Sequence, residues 1–371
     1  MSGLYLHIPF CKSRCVYCGF YSTTDESLRQ QYVDALCGEL ALRRGYLADG
    51  WHTVYLGGGT PSQLSAAQLE RLFAAIDTSA AVEVTMECNP DDITPDYARI
   101  IAALPVNRVS MGAQTFSDDR LRFLRRRHTA AEVAVAVDRL RQVGIDNISI
   151  DLMYGFPGET LADWQADIAR AVDLEVEHLS AYSLMYEEGT PLYRLMEQGK
   201  VRETDEELSR RMFEVLSDRM AEAGYEHYEI SNFARQGRRS RHNSSYWRDV
   251  PYMGIGAAAH SYDGESRQWN VADLRQYILA IGRGKVPFER ETLDADTRYD
   301  ETVMLSLRTV EGIDLRRLER LFGARRLAYC LSSARKYIAD GLLEQTAGGF
   351  LRLTRKGLFV SDMVMADLMA G

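Results

Sequence analysis

The sequence lacks any uninterrupted apolar run that approaches the roughly 20 residues of a membrane-spanning helix. It also lacks an excess of positive charge, because 44 lysines and arginines face 53 aspartates and glutamates and leave a formal net charge of -9. The first absence predicts a protein without a membrane span. The second argues against a protein that mainly grips nucleic acid or an anionic membrane surface. The 371 residues suffice for one large domain and one or two small ones.

Cysteine is scarce and unevenly distributed. Three of the six cysteines, Cys11, Cys15 and Cys18, form a C-x3-C-x2-C loop, and the other three are scattered without a second C-x-x-C arm. A closed zinc site needs four ligands and usually two such arms. Three thiolates can instead hold an iron–sulfur cube and leave one iron open to a small molecule. Zinc and an incidental cluster remain alternatives at this point.

No leader sequence precedes the first apolar strand, which predicts a reducing cytoplasm and free thiols rather than disulfides. Phosphate-binding signatures are absent as well. The stretch Gly57-Gly58-Gly59-Thr60-Pro61 lacks the G-x-G-x-x-G spacing, and no G-x-x-x-x-G-K-[ST] occurs. Consecutive glycines still let the backbone come close to a ligand, because no Cβ stands in the way.

Short apolar runs alternate with amphipathic helices over the first half of the chain. This pattern predicts parallel strands with right-handed crossovers, in an incomplete barrel or an open doubly wound sheet. The predicted strands span residues 4–7, 53–56, 82–87, 108–111, 147–153 and 178–183. Capping boxes predict helix starts at Thr23 with Glu26, Ser65 with Gln68, and Thr129 with Glu132.

Polar or glycine-rich residues lie at the carboxyl end of each predicted strand or just after it. They are the cysteine loop and residues 57–61, 87–90, 112–114, 151–158 and 182–183. Carboxyl ends of parallel strands meet at one edge, where barrel and doubly wound enzymes assemble their sites. The sequence therefore predicts a ligand site at this edge. For any one of these residues alone, a satisfied polar group at a strand end is the alternative.

The cysteine loop close to the start of such a pattern resembles the radical S-adenosylmethionine (SAM) enzymes. The resemblance implies a [4Fe-4S] cluster on Cys11, Cys15 and Cys18, with SAM on the open iron. A carboxylate such as Glu87 suits a ribose diol, because it can accept two hydroxyl hydrogen bonds. The resemblance places SAM against Tyr5, Gly58, Gly59, Thr60, Glu87, Gln114, Arg126 and Asp151. Arg126 is flanked by two further arginines that compete for its role.

A second motif, H-N-x-x-Y-W, begins at His242 and contains Tyr246 and Trp247. Imidazole as axial ligand with aromatic rings against a macrocycle would suit a haem site. A core histidine is the alternative, since so short a motif is a weak signal. Together with the cysteine loop and Phe20, the motif resembles the haem chaperone (HemW) branch of the oxygen-independent coproporphyrinogen III oxidase family. That resemblance covers essentially the whole chain.

The predicted fold class is α/β, and three units are predicted along the chain. Residues 1–184 form a partial (β/α)6 radical SAM barrel, and residues 185–290 form an α+β extension that carries the H-N-x-x-Y-W motif. A helix with a capping box of Thr204 and Glu207 begins within this extension. Residues 291–371 read as three helices and a two-stranded wing, which predicts a winged-helix-like module. The many arginines of this module favour a solvent-exposed surface, or a lid that docks a partner, over a DNA-binding role.

Three functions are compatible with these features. The leading interpretation is a cytoplasmic haem chaperone that binds a [4Fe-4S] cluster, SAM and haem, passes haem to haem-requiring proteins and forms a homodimer. The second is an oxygen-independent coproporphyrinogen III oxidase, whose family members carry a further cysteine where this chain has Phe20. The third is a winged-helix regulator that senses iron or redox state. The resemblance leaves open whether SAM is consumed, so no catalytic residue is assigned.

Overall fold

The computed structural model describes residues 2–47 and 50–370. Its centre is a run of six parallel strands joined by helices, as the sequence predicts. The strands are β1 (Gly3–Ile8), β2 (Thr53–Gly58), β3 (Glu83–Cys88), β4 (Arg108–Gln114), β5 (Ile148–Tyr154) and β6 (His178–Ser183). The connecting helices are α1 (Arg29–Leu42), α2 (Ala66–Ala75), α3 (Pro95–Ala102), α4 (Asp118–Phe123), α5 (Ala130–Gln142) and α6 (Leu161–Asp173).

The two faces of these strands differ in chemistry. Alternate residues such as Leu4, Leu6 and Ile8 form one core with apolar side chains of the helices, including Leu36 of α1 and Leu72 of α2. The intervening residues point to the opposite face of the pleated sheet. That second face, the inner face, carries mainly polar and charged side chains, which are Tyr5, His7, Tyr55, Glu87, Arg108, Ser110, Asp151, Ser180 and Tyr182.

The extension lengthens the same sheet at both edges. Its elements are α7 (Pro191–Glu197), α8 (Glu206–Glu222), β7 (Glu226–Glu229), β8 (Asn232–Ala234), α9 (Arg241–Trp247), β9 (Tyr252–Ile255), β10 (His260–Tyr262), β11 (Ser266–Asn270), α10 (Leu274–Gly282) and β12 (Phe288–Thr292). The resulting open sheet of 12 strands has the order β12-β11-β10-β9-β1-β2-β3-β4-β5-β6-β8-β7. β9 pairs in parallel with β1, and β8 pairs antiparallel with β6.

Some predicted helix starts are correct and others are not. Ser65 and Thr129 cap α2 and α5 as predicted. The capping box of Thr23 with Glu26 is wrong, because α1 begins only at Arg29. Thr23 instead serves the cysteine loop: its N–H donates to Pro9 O at 2.7 Å, and its carbonyl accepts from Cys11 N at 2.9 Å.

The predicted start of α8 is wrong by one residue. Asp205, not Thr204, is the N-cap, and its carboxylate accepts from Leu208 N at 2.9 Å. The strand that the sequence predicts over residues 225–231 is present as β7, and β8 follows it as a further strand. The shift at the start of α8 is local, because the buried residues of this helix, Met212, Leu216 and Met220, lie on one face at helical spacing.

A fully buried carboxylate holds α1 to the extension. Glu39 is 0% exposed and pairs with Arg43 at 3.0 Å. It also accepts from Gly256 N at 2.9 Å, Asn270 Nδ2 at 2.8 Å and Tyr277 O–H at 2.6 Å. Each partner other than Arg43 lies in the extension, so one charge joins an early helix to residues more than 200 positions later.

The last unit contains α11 (Ala295–Leu307), β13 (Ile313–Asp314), α12 (Leu315–Ala339), β14 (Leu343–Gln345), β15 (Phe350–Leu353), α13 (Arg355–Leu358) and α14 (Ser361–Leu368). The positive φ of Gly323 breaks α12 into two helices. The predicted hairpin is present as β14 and β15, but the wing has three strands in the order β13-β15-β14 because the short β13 pairs with β15. Ion pairs fix this unit to the extension, among them Arg317 with Asp249 and Arg308 with Glu229. Arg317 is therefore engaged within the chain.

The helices of the described residues were compared with the requirements of a bilayer span. None of them is both long enough and apolar enough to cross a membrane.

Replacing Glu39 by alanine should lower the free energy of unfolding by about 3–5 kcal/mol, because Arg43 and three donors would lose their buried acceptor. Urea denaturation followed by circular dichroism measures this change. Asp96→Ala is the control, since its pair with Arg99 is exposed and should contribute at most about 1 kcal/mol. Equal effects of the two substitutions would contradict the importance assigned to Glu39.

Candidate cofactor site

The cysteine loop leaves the carboxyl end of β1. Its thiols are free, and backbone bonds to Thr23 hold the start of the loop against the chain that leads to α1. Burial raises the pKa of the Cys11 and Cys18 thiols. Ionisation of these buried thiols therefore needs a positive partner, and a bound iron centre would supply one because a coordinating thiol is deprotonated.

Arg126 and Thr60 face the sulfurs. Arg126 donates from Nη1 to Cys15 Sγ at 3.7 Å and from Nη2 to Asn89 Oδ1 at 2.7 Å, while Thr60 Oγ1 donates to Cys11 Sγ at 3.4 Å. Donors and a cation at these positions stabilise negative charge on sulfur.

The structure also separates Arg126 from its two neighbours. Arg125 is exposed, and Arg127 pairs with Asp91 at 2.7 Å and with Asp92 at 3.1 Å. Of the three consecutive arginines, Arg126 is the one whose side chain donates to a cysteine sulfur.

The glycine stretch follows β2 directly beside this loop. Gly58 has a φ of +105°, and a Cβ there would lie 2.4 Å from the His7 ring. A Cβ at Gly59 would lie 2.7 Å from Ile8 O. Glycine is therefore required at both positions, because the backbone passes close to His7 and to Ile8 just before the cysteine loop.

Glu87 connects the glycine stretch to the inner face. It accepts from Tyr55 O–H at 2.7 Å and from Gly58 N at 3.1 Å. Burial, assisted by the nearby charge of Asp151, raises the pKa of Glu87 to about 7. Burial likewise raises the pKa of Asp151 to about 6. Each carboxylate oxygen of Glu87 keeps a free lone pair for a further hydroxyl donor.

Gln114 ends β4 in an unusual backbone conformation. Its φ of +65° is rare for a residue other than glycine, and the pairing of β4 with β5 shifts register between Gly112 and Gln114. The shift places its side chain next to that of Arg126, because a Cβ at Gly112 would meet Gln114 Nε2 at 2.6 Å and Arg126 Nη2 at 2.9 Å.

Two adjoining cavities open onto these residues. The first, the cysteine cavity, has a volume of about 200 Å³ and is lined by every residue that the sequence predicts for cluster and SAM except Tyr5. The second, the inner cavity, has a volume of about 570 Å³ and contains Tyr5, His242 and Tyr246 in its wall. Cys18, Glu87, Gln114 and Asp151 line both.

The sulfur donors in the cysteine cavity come from Cys11, Cys15 and Cys18. In the part of the chain that the structure describes, no three His, Cys, Asp or Glu side chains converge on one metal-ion position. The three sulfurs nevertheless share one cavity. Three thiol sulfurs on one short loop are the donor type that iron–sulfur clusters take, so the chemistry of the residues present fits the predicted group.

The H-N-x-x-Y-W motif forms α9, and its residues have different environments. His242 is 1% exposed and stacks on Tyr55 with the ring centres 5.0 Å apart. One ring nitrogen bonds Thr53 Oγ1 and the other bonds Tyr246 Oη, each at 2.8 Å. Trp247 does not line the inner cavity; it packs edge-on against Tyr228 at 6.0 Å.

Sequence reasoning missed several residues of the inner face, including Tyr55, Arg108 and Ser110. It concentrated on residues after the strands, whereas these lie within them. The signal that could have found them is the alternation along β4, because Arg108 and Ser110 are four and two residues before Gly112.

Replacing Glu87 by glutamine should change how stability depends on pH. The unfolded chain loses this proton near its ordinary pKa, whereas the folded chain holds it to about pH 7. Ionisation of Glu87 therefore destabilises the fold as pH rises through that window, and the variant should gain about 2 kcal/mol over the wild type between pH 5 and pH 8.

Urea denaturation at several pH values measures that gain. Asp119→Asn is the control, because Asp119 is an exposed acid on α4 and should leave the pH profile unchanged. Parallel pH profiles of wild type and Glu87→Gln would contradict the burial of this carboxyl.

Two family models match parts of this chain. A model of the radical SAM superfamily matches residues 5–171, and a model of the HemN C-terminal domain matches residues 293–360. The coproporphyrinogen III oxidase HemN of Escherichia coli, a radical SAM enzyme, superposes with a TM-score of 0.85 over 100% of this chain and 90% of its own. At 23% sequence identity this likeness concerns the fold.

Curated relatives match over nearly the whole length. The heme chaperone HemW of Bacillus subtilis is 36% identical over 374 residues, which cover 98% of this chain and 98% of the relative. The heme chaperone HemW of Lactococcus lactis is 36% identical over 327 residues, which cover 86% and 85% respectively. The chain therefore belongs to the radical SAM superfamily, in the HemW branch of the oxygen-independent coproporphyrinogen III oxidase-like family.

Proposed function

We propose that this protein is a haem chaperone that holds a [4Fe-4S] cluster and SAM, binds haem and passes it to haem-requiring proteins. The observation that carries the proposal is the pair of connected cavities, one with three free cysteines and one of porphyrin-like size and aromatic wall. The full-length similarity to chaperones named HemW supports the same function.

In the cysteine cavity, Cys11, Cys15 and Cys18 would hold the cluster. Arg126 and Thr60 would offset negative charge on two of the sulfurs. Gly58 and Gly59 would admit the amino acid end of SAM, while Glu87 and Asp151 would receive hydroxyl or amino donors from the nucleoside. When bound and reduced, such a cluster would supply an electron to SAM held beside it, and the residues named here would hold both groups in place.

The inner cavity would receive haem as cargo. Its volume of about 570 Å³ lies within the range of about 300–1,000 Å³ that is usual for ligand sites. Tyr5 and Tyr55 line the wall, and Phe20 and Met185, each 70% exposed, also line the cavity. Large exposed apolar side chains beside a cavity suit an apolar macrocycle that must enter and leave.

His242 is the predicted axial ligand. Burial, with the charge of Arg108, lowers the pKa of His242 to about 3, so the ring is in the neutral form that binds metals. Both nitrogens already have hydrogen bonds, and coordination would replace the bond to Thr53 or to Tyr246. Tyr246 belongs to the same motif, and the hydrogen bond between Tyr246 and His242 is the one that coordination would replace.

The competing function is oxidation of coproporphyrinogen. Phe20 stands where the oxidases carry a further cysteine, and it lines the inner cavity as an apolar side chain. An apolar group at that position favours carriage of a macrocycle over the proton and electron transfers of a decarboxylation. Turnover of coproporphyrinogen III with SAM and a reductant would decide for the oxidase.

Anaerobic reconstitution with iron and sulfide should load four irons per chain, and Cys15→Ser should abolish loading because only two thiolates would remain. Iron analysis and electron paramagnetic resonance measure this. Addition of SAM should change the spectrum of the wild type. Cys330→Ser, a buried cysteine in the C-terminal unit, is the matched control and should load normally. Loading of Cys15→Ser at the wild-type level would contradict the cluster site.

Haem titration followed by absorbance tests the cargo. His242→Ala should bind about tenfold or more weakly and lose the spectral signature of imidazole ligation. His260→Ala is the control, because His260 is exposed on β10 and does not line the inner cavity. Unchanged binding and spectrum in His242→Ala would reject the ligand. No binding by the wild type would reject the chaperone function.

A further inference from the structure

Arg108, the first residue of β4, is the most unusual charged group of the inner cavity. It is 1% exposed and lines the cavity together with His242 and Ser110. Its Nε has no hydrogen-bond partner, and among the described residues it forms no ion pair. Thr85 is its partner in the register between β3 and β4, and the Thr85 hydroxyl is also buried without a partner. Two orphaned polar groups therefore lie side by side on the inner face.

The nearby carboxylates are engaged elsewhere. Glu83 accepts from Arg241 N at 3.0 Å and from His242 N at 2.9 Å, and thereby fixes the start of α9. Glu87 accepts from Tyr55 and Gly58. Burial also favours the neutral forms of Glu87 and Asp151 by raising their pKa values. The wall therefore holds a permanent positive charge that its own acids do not directly pair.

An arginine in this state is costly to the fold. Its guanidinium does not deprotonate in proteins, so it cannot escape burial by becoming neutral. A buried charge without a partner destabilises a protein unless a counter-ion arrives. The planar fork of arginine fits a carboxylate with two parallel hydrogen bonds. The missing partner is therefore best supplied as an anion with two oxygens.

We propose that Arg108 binds a propionate carboxylate of haem and so fixes the orientation of the cargo in the inner cavity. This inference rests on the proposed chaperone function and names the part of haem that is recognised. Haem carries both propionates on one edge, so that edge would lead into the cavity toward Arg108. The apolar edge would then lie toward Phe20 and Met185.

The position of Arg108 separates this role from binding of the SAM carboxylate. Arg108 and Gln114 are at opposite ends of β4, about 20 Å apart at the rise of a strand of about 3.3 Å per residue. Gln114 and Arg126 adjoin the cysteines, and Arg126 offers a cation there. Arg108 does not line the cysteine cavity. The two anionic groups thus have separate cationic partners.

The test is a cycle of two proteins and two ligands, measured by anaerobic absorbance titration of the full-length chain. The proteins are the wild type and Arg108→Met, and the ligands are haem and haem dimethyl ester, in which both propionates are blocked. The wild type should bind the ester about 30-fold more weakly than haem, and Arg108→Met should bind haem more weakly by a similar factor. Arg108→Met should not distinguish the two ligands, because the lost interaction is the same in both cases.

Three further measurements make the result specific. Arg211→Met removes an exposed arginine of α8 and should behave as the wild type. The affinity of Arg108→Met for SAM should be unchanged, since a loss there would assign the arginine to SAM instead. Its melting temperature without haem should be no lower than that of the wild type, because a buried unpaired charge has been replaced by an apolar chain of similar length.

The outcomes are distinguishable. Equal affinity of the wild type for haem and its ester overturns the proposal and leaves the chaperone function standing, and this arm needs no variant. Unchanged haem binding by a folded Arg108→Met also overturns it and assigns Arg108 a purely structural role. Failure of the wild type to bind either ligand removes the chaperone function itself, and the proposal with it. Arg108→Lys should recover part of the discrimination, since it keeps the charge but loses the fork.

Discussion

A buried face that is polar is the constraint on which the rest of this structure depends. Parallel strands usually bury both faces under helices and are apolar on both. Here α1 to α6 cover one face of β1 to β6, α9 packs on part of the other, and that second face carries phenols, carboxylates, imidazoles and a guanidinium. Such groups lose their hydration in a cavity and need partners from within. The cavities, the shifted pKa values and the hydrogen-bonded pairs of the inner face all follow from that requirement.

The balance of charge differs between three regions, which are the cysteine loop, the middle of the sheet and the amino end of β4. Near the cysteines, Arg126 stands against thiols whose pKa values are raised by burial. In the middle of the sheet, Glu87 and Asp151 are shifted toward their neutral forms. At the amino end, Arg108 has no direct partner. The two adjoining cavities therefore have separate cations, Arg126 in the cysteine cavity and Arg108 in the inner cavity, and Glu87 and Asp151 line both cavities between them.

The sequence permits a good prediction where chemistry is tied to short spacing. The C-x3-C-x2-C loop, the glycine stretch and the strand ends were all found because each is a local pattern, and the structure brings them to one edge. Arg126 could not be separated from its neighbours by sequence, because only packing shows that Arg127 is occupied by two aspartates. Thr23 was taken for a helix cap because its side chain suits one, whereas its backbone is held by the cysteine loop.

Local sequence patterns do not predict which distant strands pair. The parallel contact between β9 and β1 joins residues separated by about 250 positions, and no local pattern encodes it. The same holds for Glu39, because the pattern of apolar residues in α1 gives no reason to expect a buried carboxylate that contacts the extension. Arg108 was missed for a different reason: it is at the amino end of its strand, away from the edge where ligand sites are usually sought.

The pairing of β1 has a consequence for the order of events during synthesis. β1 is made first, yet one of its two hydrogen-bonding edges is completed only by residues 252–255. At roughly 5–20 residues per second, a ribosome needs on the order of 10–50 s to supply them. Throughout that interval the strand that leads into the cysteine loop exposes an open edge, which is a template for wrong association. Iron and sulfide that entered the nascent chain would therefore arrive before β9 pairs with β1. Their insertion after release of the chain from the ribosome would avoid this exposed state.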